Sequence, residues 1–412
     1  MHGKRDEERV VVTGMEMLTC LGSTREAWPR LLAGESGIGP VGLFDVSRFR
    51  CRIGGIVPDT CLERPARGGE ADSWDRSSRL VFSGAKRAVA QAGLSPGAVA
   101  GMRTGVVLGT TLGGMRNGEL YHRALLTRGP SGADPRLLLD YLAYMQGRRL
   151  AAHYGIRGPV VTVSNACSSG TCAIGMGFEY IRLGVVDRVI AGGYDTFCEF
   201  THAGFDSLRL LDPEGCRPFD RRRQGLVLGE GAGFVVLERL SLAKARGVEI
   251  LGEVLGYGSS SDAHHTTKMD PTGEGPARAI RQALDSAGLQ PRDIHYINAH
   301  GTGTPVNDAV ETRALKQALG EAAARIPLSS SKSMIGHLLG ASGAVEAVIT
   351  LLALREGIAP PTAGYREADP ACDLDCIPNQ ARRLPMRVAL SNSFGFGGNN
   401  ACLVLARWEE GS

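Results

Sequence analysis

Apolar residues along this chain come in short dense runs, and the spacing between them alternates between strand-like and helix-like periods. Continuous apolar, β-branched runs predict buried strands over 9–13, 104–108, 160–163 and 186–191, and a helical period fills 77–92 and 175–183. A second round follows, with strands predicted over 250–256, 295–298, 327–331 and 389–391 and helices over 276–287, 308–319 and 340–354. Gly357 and Pro360-Pro361 stop the last of these helices. Strands alternating with helices imply α/β layers built on parallel strands.

The two rounds resemble each other. Gly229-Glu230-Gly231-Ala232-Gly233-Phe234-Val235-Val236-Leu237 can be laid on Gly397-Gly398-Asn399-Asn400-Ala401-Cys402-Leu403-Val404-Leu405, and Thr162-Val163-Ser164 on Leu328-Ser329-Ser330. A duplicated α/β unit with a site at its junction is the simplest account. It predicts a first half over 1–250 and a second over 251–412, packed as one body because no low-complexity linker divides them. The least regular stretch, 112–149, carries Gly129-Pro130, Gly132 and Pro135 and is expected to be an excursion over the site or at a subunit contact.

Composition narrows the class. The 412 residues, 43% hydrophobic and 22% charged, describe an ordinary globular protein. Lys+Arg 46 against Asp+Glu 43 is too balanced for nucleic acid to be the main partner. The charged start, Met1-His2-Gly3-Lys4-Arg5, lacks the apolar centre of a signal peptide, and no apolar run is long enough to span a bilayer. Ten irregularly spaced cysteines are expected to be reduced thiols in a cytoplasmic protein. Cys372 and Cys376 have no second pair to complete a zinc site, so no metal is expected. The Gly229–Gly233 glycines precede a strand, where a dinucleotide loop requires a helix. His264-His265 reads as a surface loop, and Arg217, Arg221, Arg222 and Arg223 as a solvated face or a docking point for an acidic protein.

Most of the ten cysteines are expected to be inert and buried. Cys167 differs, because Ser164, Ala166, Ser168, Ser169 and Gly170 surround it with small side chains at the passage from strand to helix. A helix N-terminus favours a thiolate there, and free amides can bind an oxyanion. Two later segments offer imidazoles: Ala299-His300-Gly301-Thr302-Gly303-Thr304-Pro305 and Lys332-Ser333-Met334-Ile335-Gly336-His337. His300 follows a strand, where α/β proteins place ligands, and Thr302 and Thr304 can offer hydroxyls to an extended polar ligand. Lys332 is one of only six lysines, and with His337 and Glu346 it suggests a buried charged network. One nucleophile and two imidazoles make covalent acyl transfer the leading reading.

These motifs, together with Arg217-Pro218-Phe219-Asp220 and Asn392-Ser393-Phe394-Gly395-Phe396-Gly397-Gly398, resemble the β-ketoacyl-acyl-carrier-protein synthases of the elongating type II class, in order through nearly the whole chain. The resemblance implies the thiolase fold, duplicated βαβαβαββ halves in a five-layer α/β/α/β/α sandwich. It implies a decarboxylative Claisen condensation. Cys167 takes the acyl group, amides of Cys167 and Phe396 hold the oxyanion, and neutral His300 and His337 donate to the malonyl thioester oxygen. Lys332 and Glu346 tune the second histidine, and Asp308 and Glu311 order the loop after the first. Phe396 gates a pocket walled by Leu112 and Phe205. Thr302 and Thr304 meet phosphopantetheine, and Arg209 lies at the carrier-protein face. The partner implied is an acyl carrier protein, which brings the phosphopantetheine, so no cofactor of the chain's own is implied; a homodimer is. Asn165 and Asn399 stand where threonine is frequent, and 66–79 lacks the lysine-rich stretch of some members, so the carrier and pathway stay open. A type II polyketide ketosynthase is the alternative. A non-catalytic chain-length-factor-like partner is disfavoured by the complete Cys-His-His set, and a degradative thiolase by the second histidine.

Overall fold

A computed structural model describes residues 9–63, 74–100 and 103–410. The predicted lysine-poor stretch at 66–79 therefore lies mostly outside the described residues, as does most of the charged start.

Ten strands carry the fold: β1 (Val10–Thr19), β2 (Thr104–Gly109), β3 (Val160–Val163), β4 (Arg188–Asp195), β5 (Gly231–Arg239), β6 (Gly252–Ser261), β7 (Tyr296–Asn298), β8 (Leu328–Ser329), β9 (Val388–Gly395) and β10 (Asn399–Ala406). They form one hydrogen-bonded path in the order β8-β7-β9-β10-β6-β1-β5-β4-β2-β3, and off this path the short strand Gly22–Ser23 pairs antiparallel with the end of β1. Outward from its centre, the first half runs β1-β5-β4-β2-β3 and the second β6-β10-β9-β7-β8, the same topology twice. The halves meet where Val10–Val12 of β1 pair antiparallel with Gly252–Val254 of β6.

Five helices complete the layers: α1 (Arg76–Gln91), α2 (Ser169–Arg182), α3 (Glu274–Ala287), α4 (Pro305–Leu319) and α5 (Ser342–Glu356). Helix α1 covers the outer face of the first half, and α3 with α4 covers the second. Helices α2 and α5 lie between the two half-sheets and against each other. Every residue of α5 from Ser342 to Leu354 is buried, as an all-round apolar helix must be. This is the thiolase-type five-layer α/β/α/β/α arrangement.

The predicted strands and helices exist, but several are longer than the apolar runs that announced them. Strand β9 extends to Gly395 through Ser391, Asn392 and Ser393, and α2 starts at Ser169 rather than near 175. Polar residues there are buried by the other half, so local hydrophobicity under-reports them. Strand β8 is conversely only Leu328–Ser329. The stretch 112–149 is not irregular. It contains helices Met115–Arg128, Leu137–Tyr141 and Met145–Tyr154, separated by breaks at 129–136 and 142–144. Exposed Leu120, Leu126, Leu139, Tyr141 and Tyr144 blurred its helical period. Arg217 and Arg223 are not a solvated face either: both are buried, on Asp212 and on Asp369 with Asp308 nearby. Only Arg221 and Arg222 are exposed, and both pair with Glu367.

Candidate active site

Strand β3 ends at Val163, and the chain turns through Ser164 and Asn165 into a single tight turn, Ala166–Ser168, before α2. Ala166 sits at φ +49°, which an L-residue adopts only when its surroundings demand it. Ser169 Oγ donates to the Ala166 carbonyl at 2.6 Å, and Ser168 Oγ to that of Asn165 at 2.8 Å. The strained turn lifts Cys167 toward the end of β9. Gly395 has no side chain there; a Cβ would stand 3.0 Å from the Cys167 amide nitrogen.

A cavity of about 540 Å³ opens at this point, lined by Cys167, His300, His337, Phe394, Gly395 and Phe396 at its depth. Thr302, Thr304, Val306, Arg209, His264 and Lys268 are among the residues that continue its wall. The His300 and His337 rings meet edge to face, 5.4 Å between centroids and at 85°. Three side chains distant in sequence thus share one wall. Phe396 stacks on Phe205 at 5.5 Å and 11°.

Hydrogen bonds fix both tautomers. His337 Nδ1 accepts from the Leu339 amide at 3.0 Å and lies 3.1 Å from Ser342 Oγ, which leaves Nε2 as the proton carrier. His300 Nδ1 faces the Lys332 ammonium at 3.5 Å, so its Nε2 also carries the proton. Burial first, then the Lys332 charge, hold both imidazoles well below their ordinary pKa. Neutral N–H donors are what these positions offer. Lys332 is itself anchored by Glu346 and by the His300 carbonyl at 2.6 Å, so it serves the first histidine more directly than the second.

Two further carboxylates hold the loop after β7. Glu311 accepts from the His300 and Gly301 amides, each at 2.8 Å, and burial pushes it up to about 7. Asp308 accepts from the amides of Thr302 at 3.1 Å and Phe219 at 2.7 Å. Neither carboxylate reaches the cavity. The thiol departs from expectation. Burial pushes Cys167 up to about 11, against the opposing pull of Lys332 and of the Phe396 N–H. A helix terminus reads as thiolate-stabilising in sequence, but desolvation is the larger effect here.

Asn399 and Leu112 stand behind the cavity wall rather than on it. Asn399 Nδ2 donates to the Phe396 carbonyl at 2.8 Å, and Leu112 joins the apolar cluster that contains Phe205. Conversely, His264, Lys268, Met269 and Gln224 line the cavity without having been singled out for it. Nothing in their local spacing marks them; the 262–271 segment is held at the mouth by distant partners, with Gly397 N donating to the Thr266 carbonyl at 2.7 Å and Asn400 Nδ2 to Asp262 at 2.6 Å.

A duplicated thiolase-type fold thus places one thiol and two neutral imidazoles on a common cavity. Models of the β-ketoacyl synthase N-terminal and C-terminal domains match residues 7–243 and 251–366. A Synechocystis protein named 3-oxoacyl-[acyl-carrier-protein] synthase 2 is 42% identical over 98% of this chain and 99% of its own length. The ishigamide ketosynthase/chain length factor structure superposes with a TM-score of 0.92 at 37% identity, over 98% of this chain and 100% of that one. A type II ketosynthase bound to a hexaketide, in complex with its acyl-carrier protein, follows at 0.89 and 31%, with the same coverage. The chain belongs to the β-ketoacyl synthase family.

Proposed function

We propose that this chain elongates carrier-bound acyl groups by decarboxylative Claisen condensation in fatty acid synthesis. The observation that carries the reading is the shared cavity wall of Cys167, His300 and His337. In the first step Cys167 exchanges with an incoming acyl thioester: the S–acyl bond to the phosphopantetheine arm breaks, one to Cys167 forms, and the thiol proton leaves with the departing arm. The amides of Cys167 and Phe396 receive the oxyanion. In the second step a malonyl thioester loses carbon dioxide, and its enolate oxygen takes hydrogen bonds from the Nε2–H groups of His300 and His337. Two preorganised donors are each worth about 3 kcal/mol to such a charge. The enolate carbon then attacks the acyl-cysteine, which expels the Cys167 sulfur. Thr302 and Thr304 flank the path of the phosphopantetheine arm, Arg209 stands at the mouth for an acidic carrier protein, and Phe396 on Phe205 closes the acyl side.

We assign the enzyme to the cytoplasm, a reading supported by ten free cysteines. No helix among the described residues is long and apolar enough to cross a membrane. It acts as a homodimer. Strand β3 lies at the outer edge of the sheet, with Val160 exposed and exposed Leu142 and Tyr144 on the neighbouring segment, where a second copy fits. The similarity to type II ketosynthases that act with a chain length factor or on a hexaketide supports a second reading, a specialised polyketide pathway.

Intact-mass measurement after exposure to acyl carriers of graded length tests the proposal. The parent gains one acyl group and Cys167→Ala none, whereas Cys167→Gln still decarboxylates malonyl carrier. An acyl adduct on Cys167→Ala refutes the assignment of the nucleophile.

A further inference from the structure

The halves repeat not only their strands but also the turn that presents the thiol. In the first half Ala166-Cys167-Ser168 leads into α2; in the second Leu339-Gly340-Ala341 leads into α5, and Ala166 and Leu339 share the strained φ, +49° and +52°. The strand ends correspond as well. Strand β4 ends at Asp195, paired with Gly231, as β9 ends at Gly395, paired with Asn399. The helices cross reciprocally: a Cβ on Gly170 would stand 2.7 Å from the Ala344 nitrogen, and one on Gly343 would collide with Thr171.

The gap between turn and strand end is filled oppositely in the two halves. In the first, the strand end is glycine and the Cys167 thiol enters from the turn toward the Phe396 N–H. In the second, the turn is glycine and the carboxylate of Asp195 enters from the strand. That carboxylate is fully buried and accepts from four donors: Gly340 N at 2.6 Å, Thr110 Oγ1 at 2.7 Å, Thr111 N at 2.9 Å and Leu112 N at 2.9 Å. Converging donors around one negative oxygen pair are the surroundings of an oxyanion. From this cluster a contact runs to the nucleophile, because Thr111 Oγ1 donates to the Ala166 carbonyl at 3.2 Å. Another runs to the imidazole, because the amide of Leu339, next to Gly340, donates to His337 Nδ1.

We propose that Asp195 is a positioning residue: its carboxylate permanently occupies the second half's counterpart of the oxyanion hole and thereby sets the two turns that hold Cys167 and His337. The inference rests on the reading of Cys167 as the acylated group. The two fail differently, since Cys167→Ala tests that reading whereas the Asp195 variants keep the thiol.

Asp195→Asn keeps the shape and one acceptor oxygen for Thr110 and Leu112, but turns an amide donor toward the Gly340 N–H that the other oxygen had accepted. Its acylation rate per folded molecule is expected to fall about ten- to a hundredfold, the scale of a small misplacement at a reacting centre. Alkylation of Cys167 by iodoacetamide, which needs no acyl substrate, moves the other way. The Asp195 charge opposes ionisation of the thiol, so its removal makes alkylation faster at one mildly alkaline pH. A purely structural role leaves acylation per folded molecule unchanged, whereas loss of the charge by itself speeds alkylation. Thr111→Val removes only the link to Ala166 from an exposed position, and is expected to slow acylation with an unchanged melting temperature. It decides the matter should Asp195→Asn fail to fold. The proposal is overturned if acylation by the folded variants stays within about twofold of the parent. It is equally overturned if the loss tracks only the folded fraction, or if alkylation of Asp195→Asn is unchanged.

Discussion

Burial governs the ionisation of the reacting groups at the residue scale, and it does so in opposite directions for acid and base. His300 and His337 are kept neutral, which suits donors to an enolate, while the Cys167 thiol is kept protonated, pushed up to about 11. The thiol is then overwhelmingly protonated at neutral pH. Iodoacetamide labelling of Cys167 is therefore expected to rise continuously with pH from neutrality, and a plateau near pH 7 would contradict the account. Lys332 lowers the thiol's pKa, so Lys332→Met is expected to slow labelling at a given pH, and also to destabilise the fold by roughly 3 kcal/mol because Glu346 loses its buried partner. That one thiol and two imidazoles stood in motifs that could meet was legible in sequence, and the structure brings them to one cavity: Cys167 among small neighbours, His300 after a strand, His337 beside Lys332. The thiol's protonation was not, because a favourable local dipole says nothing about how much water the rest of the chain removes.

Among the elements, α2 and α5 do most to locate the chemistry, since each begins at one of the two strained turns and both lie between the half-sheets. Their close crossing depends on Gly170, where a methyl group would meet the backbone of Ala344 at 2.7 Å. Gly170→Ala is expected to lower the melting temperature by an amount equivalent to about 1–3 kcal/mol, the usual cost of overpacking. Gly204, within the helix Glu199–Ser207, has open space around its Cβ position. Gly204→Ala is thus expected to raise stability by up to about 1 kcal/mol through helix propensity. Thermal melts of the two variants distinguish packing from propensity. The apolar runs identified most strands and helices, but not the polar ends of β9 and α2. Those ends are buried by the partner half, a fact absent from any local window.

At the scale of the whole molecule, the duplicated topology creates a strand edge at β3 that ordinary monomers cover or charge. Val160, Leu142 and Tyr144 leave it apolar. For the proposed homodimer, Val160→Lys together with Tyr144→Lys is expected to shift light scattering toward monomer. Dimers that persist unchanged would remove this edge from the interface. The same helices at 115–154 that support this edge were expected to be irregular. Their exposed apolar residues interrupt the helical period by which sequence alone would have found them.

The sequence by itself determined the secondary-structure alternation, the internal repeat and the family motifs that carry the thiol and the two imidazoles, because these depend on neighbours within a turn or a strand. Only the tertiary structure decided that Lys332 anchors to the His300 carbonyl, that Asn399 holds the Phe396 carbonyl, that the 262–271 segment reaches the cavity mouth, and that the second turn is filled by Asp195. Each of these depends on which residues far apart in the chain exclude water from one another. Desolvation and long-range hydrogen bonding are properties of that packing rather than of any stretch of residues read alone.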